Sequence, residues 1–233
     1  MQIPKTLPVS VIIPVFNEEK NIEDVLLRTN SVMETLKVPY EIIIVDDGST
    51  DKTRWVASKH KVNLLSNGIN KGKGYALSKG LQKAKGNILI TMDGDGAHRP
   101  EDIQDLVTPL LNGADVVIGS RFNSKKEKGA IKKLHIIGNH LFNLLILLLT
   151  RKYITDSQSG FRAYRKEVIE KIKIISLGYE VETELTMKTL KNGFAVRERP
   201  ITCKKRKAGY TKLNFIKDGF KILKTILRMY ACS

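Results

Sequence analysis

The sequence predicts an α/β fold, a mostly parallel central sheet flanked by helices, on three observations. Short runs rich in Val and Ile alternate with longer stretches of helical spacing through the first half. Strands separated by helices of that length form βαβ units, which pair in parallel. Acidic and Gly-rich motifs follow the apolar runs, at the edge where open α/β sheets gather ligands.

Residues 9–15 form a continuous apolar run read as the first strand, closed by Pro14-Val15-Phe16-Asn17-Glu18. A helix is expected over 19–36, then a strand over 41–45 closed by Asp46-Asp47-Gly48-Ser49. Asp47 and Ser49 suit ligand contact and, equally, a helix N-cap. A short strand over 62–65 precedes Asn70-Lys71-Gly72-Lys73-Gly74, whose two cations and pliant backbone suit a diphosphate ahead of a helix over 74–84. It is not a Walker A loop, because no Gly-Lys-Ser/Thr follows at the required spacing.

The strand over 88–92 delivers Asp93-Gly94-Asp95, followed by Gly96 and Ala97. Two carboxylates one residue apart at a strand's end suit a hard cation and phosphate. The same three residues also suit a solvated turn. A helix over 100–111 and a strand over 115–118 lead to Gly119-Ser120-Arg121. The planar guanidinium of Arg121 fits bidentate phosphate recognition, or it is an exposed surface arginine.

With 233 residues and 42% hydrophobic content the chain suits one domain, 1–233. Cys203 and Cys232 give neither metal-ligand spacing nor a disulfide framework, which fits a reducing compartment. No charged segment followed by an apolar core marks a secretory leader at the amino terminus. The net charge is +16, yet residues 1–110 carry 14 basic and 14 acidic side chains, so the excess lies in 111–233. That half is built to meet something anionic: nucleic acid, an acidic membrane or a phosphorylated substrate.

Two segments of the basic half, 130–151 and 213–230, read as candidate membrane-interface helices. The first contains the run 141–149, but His135, Asn139, His140 and Asn143 interrupt it. A spanning helix needs about 20 predominantly apolar residues, so an interfacial helix is expected, with a buried core helix as the alternative. In the second, Ile216, Phe220, Leu223, Leu227 and Tyr230 share one face at helical spacing, flanked by Lys217, Lys221, Lys224 and Arg228. Such a helix lies in a headgroup layer or packs on its own domain with a solvated basic edge.

In order and spacing, the motifs Pro14 to Glu18, Asp46 to Ser49, Lys71 to Gly74, Asp93 to Asp95 with Pro100-Glu101, Gly119-Ser120-Arg121, Asp156-Ser157-Gln158-Ser159-Gly160-Phe161-Arg162 and 206–213 resemble the family 2 glycosyltransferases. Within them the chain is similar to the dolichyl-phosphate and polyprenyl-phosphate sugar transferases, over nearly its whole length. The resemblance implies a nucleotide-sugar-binding glycosyltransferase A-type fold. It implies that Asp93 and Asp95 hold Mg²⁺ or Mn²⁺ against the donor diphosphate, Asp95 as the firmer ligand and Asp93 on the metal, the ribose or both. Pro14, Phe16, Glu18, Asp46 and Asp47 would line the nucleoside pocket, with Lys73 near the diphosphate and Gln158 in the donor-proximal motif. Arg121 and Arg206, the latter among Lys204, Lys205 and Lys207, are candidates for the acceptor phosphate. Glu182 and Glu184 match an acidic pair that would orient the donor sugar or a basic residue, with an exposed helix face as the alternative reading.

A monophosphate acceptor, mostly deprotonated near neutral pH, needs no general base. The implied donor is UDP-glucose or UDP-N-acetylglucosamine, with GDP-mannose next. The implied setting is the cytoplasmic face of a membrane with an anionic surface, held peripherally, with a small membrane subunit as a further possible partner. A metal-dependent nucleotidyltransferase and a glycosyltransferase with a non-lipid acceptor are the competing enzymes. Nucleic acid is not expected as a partner, because the neutral amino half with its carboxylate motifs has no role in such a binder.

Overall fold

The computed structural model describes residues 4, 7–122, 131, 133–206, 208–209 and 212–231. Lys207 and Cys232, which figure in the sequence reading, lie outside these, as do 130 and 132 of the first amphipathic segment and 210–211 near the second.

Strands buried on both faces need apolar side chains at consecutive positions, and the first strands have them. In β1 (Val9–Val15), Val9, Val11, Ile13 and Val15 join one core while Ile12 joins the other. In β2 (Tyr40–Asp46), Ile42 and Ile44 divide from Ile43 and Val45 in the same way. Helices α1 (Ile22–Leu36), α2 (Thr53–Ser58) and α4 (Ile103–Leu111) cover the first core. Helices α3 (Lys73–Lys83), α6 (Lys166–Lys171) and α7 (Val181–Lys191) cover the second. Close seating of α3 depends on Gly80, where a Cβ would stand 2.5 Å from Ile12 Cγ2 and 3.0 Å from Val45 Cγ2.

With β3 (Asn63–Ser66), β4 (Ile88–Thr91), β5 (Val116–Ser120), β6 (Arg162–Arg165) and β7 (Val196–Pro200), the sheet has seven strands in the order β3-β2-β1-β4-β6-β5-β7. Only β6 runs against the rest, pairing antiparallel with β4 and β5. The α/β class and the mostly parallel sheet are as the sequence predicts. Four elements were not anticipated: α2 and α6 are six residues each, β6 is four residues with arginine at both ends, and β7 is an edge strand reading Val-Arg-Glu-Arg-Pro. None of these displays enough periodicity to stand out. The helix expected over 100–111 opens as a 3₁₀ turn, Pro100–Asp102, before α4 begins.

Two long helices complete the chain, α5 (Lys133–Thr150) and α8 (Phe215–Ala231), packed on each other and on α7. Ile146, Met187, Ile222, Ile226 and Met229 form their shared core. The apolar stripe of α8 named in the sequence reading is not the face that packs: Ile216 is 83% exposed, Phe220 69% and Tyr230 52%. On α5, Leu134, Ile137, Leu141, Leu144 and Leu148 are exposed likewise. By length and composition α5 reaches what a membrane crossing requires, contrary to the expectation that it is too short. Its inward face is nevertheless committed to the domain, with Gly138, Asn139, Asn143 and Ile146 buried.

Candidate active site

The carboxyl ends of β1, β2, β4 and β5 bring Phe16, Asp47, Asp93 and Arg121 to one edge, and β1 and β4, adjacent in the sheet, form its topological switch point. Because β6 is reversed, the loop entering it, with Asp156 and Gln158, arrives at the same edge. The chain leaving β7 crosses back over it with Arg206. Together these segments line a cleft of about 520 Å³ containing Pro14, Phe16, Glu18, Asp47, Lys73, Asp93, Asp95, Arg121, Gln158, Glu182 and Arg206.

Each carboxylate of Asp93-Gly94-Asp95 has its own cation. Lys73 Nζ lies 2.6 Å from Asp93 Oδ1 and 2.7 Å from Glu182 Oε1. Burial opposes the charged form of Lys73, but Asp93 and Glu182 more than offset it and hold its pKa above the ordinary lysine range. Burial likewise disfavours the charged form of Asp93, and Lys73, with His98 and Arg121, outweighs it, so the carboxyl stays ionised well below the usual range. Gly160 makes room for this pair, since a Cβ there would meet Asp93 Oδ1 and Lys73 Nζ at 3.0 Å. Arg206 Nη2 lies 2.6 Å from Asp95 Oδ2 and 3.7 Å from Glu18 Oε1. Lys212 Nζ sits 3.5 Å from Glu18 Oε1 and 4.7 Å from the centre of the Phe16 ring.

Two carboxylates are hard oxygen donors, and they suit a divalent cation that takes its remaining ligands from substrate phosphates and water. Among the described residues no set of three or more His, Cys, Asp or Glu side chains forms a self-sufficient metal cage. Asp93 and Asp95 therefore fit a cation that a diphosphate helps to hold.

Arg121 reaches the cleft, but not with a free fork. Its Nε and Nη2 donate to Asp156 at 2.7 and 2.8 Å, and its backbone N–H donates to the same carboxylate at 3.0 Å. Asp156 is fully buried. Two of the five N–H groups of the guanidinium are thus engaged, and the bidentate grip expected for phosphate is taken by Asp156. Gln158 Nε2 donates to Thr183 Oγ1 at 2.7 Å, which fixes its amide at the cleft wall.

Two sequence-predicted residues stand outside the cleft. Asp46 accepts from Ser49 N–H at 3.0 Å and so shapes the turn that presents Asp47. Asp47 in turn accepts from the backbone N–H groups of Lys71 and Gly72 at 3.0 and 2.8 Å, joining two of the predicted loops. Glu184 is fully buried behind the wall, accepting from Ser176 N–H at 2.7 Å and pairing with Lys188 at 2.6 Å. Glu182 is buried and paired with Lys73, so neither residue lies on an exposed helix face, and Glu182 alone of the two lines the cleft. Tyr179 and Asn139 line the cleft and were not singled out as site residues. Tyr179 stands three residues before Glu182, and Asn139 figured in the sequence reading only as one of the polar residues that interrupt the apolar α5 segment.

Residues 10–173 match the glycosyl transferase family 2 model. A dolichol-phosphate mannosyltransferase of Pyrococcus furiosus is 34% identical over 230 residues, covering 96% of this chain and 64% of that protein. A UDP-N-acetylglucosamine–dolichyl-phosphate N-acetylglucosaminyltransferase of Methanococcus voltae is 31% identical over 247 residues, covering 94% of each. The fold is shared with glucosyl-3-phosphoglycerate synthase of Mycobacterium tuberculosis, solved with Mn²⁺, UDP and phosphoglyceric acid, at TM-score 0.75 and 24% identity over 96% of this chain and 78% of that one.

Proposed function

The chain belongs to the family 2 glycosyltransferases, and from that premise we propose that it transfers a sugar from a nucleotide donor to dolichyl or polyprenyl phosphate with inversion at the anomeric carbon. One observation carries this reading. The cleft that holds Asp93 and Asp95 runs on between α5 and α8, where Gly138, Phe142, Phe215 and Ile222 line it, and both helices expose apolar side chains beside that opening. A polar pocket continuous with an apolar groove fits an acceptor that is phosphate at one end and hydrocarbon at the other.

Asp93 and Asp95 would hold Mg²⁺ or Mn²⁺ with the donor diphosphate, as the Mn²⁺ and UDP bound by the mycobacterial synthase suggest. Bound there, the cation would offset the charge that builds on the departing nucleoside diphosphate. Phe16, Glu18 and Asp47 would line the nucleoside side of the cleft. Lys73 and Arg206, now paired with the carboxylates, are placed to move onto phosphate oxygens. The acceptor phosphate oxygen attacks the anomeric carbon, the bond from that carbon to the diphosphate breaks, and the nucleoside diphosphate leaves. No proton has to be removed from the nucleophile, so no general base is required. Pinned beside the reacting groups, Arg121 reduces the repulsion between two anionic partners.

The donor is proposed as UDP-glucose or UDP-N-acetylglucosamine, with GDP-mannose next; the two dolichyl-phosphate relatives carry N-acetylglucosamine and mannose in their names. In this reading the enzyme is a single catalytic domain held peripherally at the cytoplasmic face of a membrane, and the exposed apolar side chains of α5 and α8 support it. A soluble phosphorylated acceptor is the second reading, favoured by the phosphoglyceric acid bound to the mycobacterial synthase. Purified protein incubated with Mn²⁺ or Mg²⁺, labelled UDP- and GDP-sugars, and either a short polyprenyl phosphate or phosphoglycerate separates the two. Label partitioning into butanol supports the lipid acceptor, and label on phosphoglycerate alone overturns it.

A further inference from the structure

Thr155 and Asp156 are held from two sides by groups that do not touch the donor end of the cleft. On one side stands Glu198 of β7, whose carboxylate oxygens accept from Thr155 N–H at 2.9 and 3.0 Å, Thr155 Oγ1 at 2.9 Å and Asp156 N–H at 3.0 Å. On the other stands Asn143 of α5, buried within the helix's apolar run 141–149. Its Nδ2 donates to Thr155 C=O at 2.7 Å, and its Oδ1 accepts from Ser157 N–H at 3.2 Å. Asn139, one turn earlier on the same face, donates to the same carbonyl at 3.2 Å.

An amide buried among leucines is costly unless its hydrogen bonds are made, so Asn143 is at ease only when this loop is in place. The acidic side chain of this loop is Asp156, and Asp156 takes three donors from Arg121. Orientation therefore passes from α5 and β7, through two backbone positions, to the guanidinium in the cleft. We infer that Glu198 and Asn143 are positioning residues, holding Arg121 in register with the acceptor phosphate through Thr155 and Asp156. The same helix that exposes Leu141 and Leu144 outward thereby sets an active-site charge inward. The inference rests on the proposed acceptor for its catalytic consequence, though not for its structural content.

The test uses the full chain with Asn143→Leu, which suits the apolar helix, Glu198→Ala, and Glu198→Gln, which keeps one acceptor oxygen. In the ¹⁵N-arginine spectrum of the wild type, Arg121 Nε–H should exchange slowly; Asn143→Leu and Glu198→Ala should broaden it while the amide dispersion of a folded protein persists. Transfer should lose about a hundredfold in kcat/KM for polyprenyl phosphate, the scale of an ångström's misplacement. UDP affinity should stay within about twofold, and Glu198→Gln should recover most of the loss; a general weakening of the fold would lower donor binding equally and would not be rescued. An unchanged Arg121 signal overturns the inference whatever the acceptor. A broadened signal with undiminished transfer also overturns it. If the wild type gives no lipid-linked sugar with any donor, the acceptor reading falls instead, and the arginine spectrum alone decides the positioning role.

Discussion

Lys73 carries one positive charge against two carboxylates, with its side chain 18% exposed and that of Glu182 4% exposed. Removing Lys73 leaves Glu182 buried without that partner, while Asp93, its side chain 29% exposed, still meets water, so the loss falls toward the lower end of the about 3–5 kcal/mol typical of a fully buried pair. Lys73→Met should therefore lower the unfolding temperature measurably, and added Mn²⁺ should restore more of it than the same Mn²⁺ adds to the wild type, because a divalent ion can replace the lost charge. A calorimetric scan with and without metal checks this; equal metal effects in both proteins would detach Lys73 from the cation site. Asp95→Asn should abolish transfer with little change in fold, read from product formation beside circular dichroism. Glu184 gives a pH signature instead. Burial tends to raise its pKa, but Lys188 and the N–H groups of Ser176 and Ile175 outweigh that and hold it below its ordinary value near 4.5. Its contribution to stability is therefore present above that value and is lost as the pH falls through the lower folded pKa. Glu184→Gln should be less stable than wild type at pH 7, and the gap in urea midpoints should narrow below pH 4.5.

Among the elements, α8 and α3 depend on their neighbours in opposite ways. Helix α8 is apolar on two sides: Ile222, Ile226 and Met229 pack inward while Ile216 and Phe220 face out. Lys217, Lys221 and Lys224 are exposed beside the outer stripe. Each lysine near an anionic membrane contributes about 1 kcal/mol, so reversing all three to Glu should weaken binding to phosphatidylserine vesicles by about a hundredfold or more. Co-sedimentation at low salt measures it, and equal affinity would reduce the stripe to a solvated edge. Helix α3, in contrast, has no slack. A methyl group at Gly80 would push on Ile12 and Val45 at the centre of the second core, and such overpacking costs about 1–3 kcal/mol. Gly80→Ala should lower the urea midpoint accordingly and, by displacing Lys73 at the head of the same helix, weaken donor binding.

Across the whole molecule, the amino-terminal motifs and the basic carboxyl half meet at one sheet edge, so ligand binding there ties distant segments together. A ligand at a hundred times its Kd adds about 2.7 kcal/mol to the folded state. UDP with Mn²⁺ should raise the unfolding temperature by about 5–10 °C for a chain of this size, and UDP in chelator by clearly less. An identical shift in chelator would remove the metal from donor binding.

Much of this was legible in the residues. Long apolar runs made β1, β2 and β4 evident, because a strand buried on both faces has no polar position to spare. The motifs at Phe16, Asp47 and Asp93 could be read because each closes such a run, and those at Lys73, Gln158 and Arg206 by their residue types and their order along the chain. Tertiary structure alone decided which charges neutralise one another. Lys73 is 109 residues from Glu182, and Arg206 is 111 from Asp95, separations across which no periodicity speaks. It also decided that Asp156 claims the fork of Arg121, that Glu184 turns away from the cleft, and that the more apolar stripe of α8 stays outside. A sequence states which side chains are available; which face is buried, and which opposite charge stands within 3 Å, depends on the reversal of β6 and the seating of α5, α7 and α8.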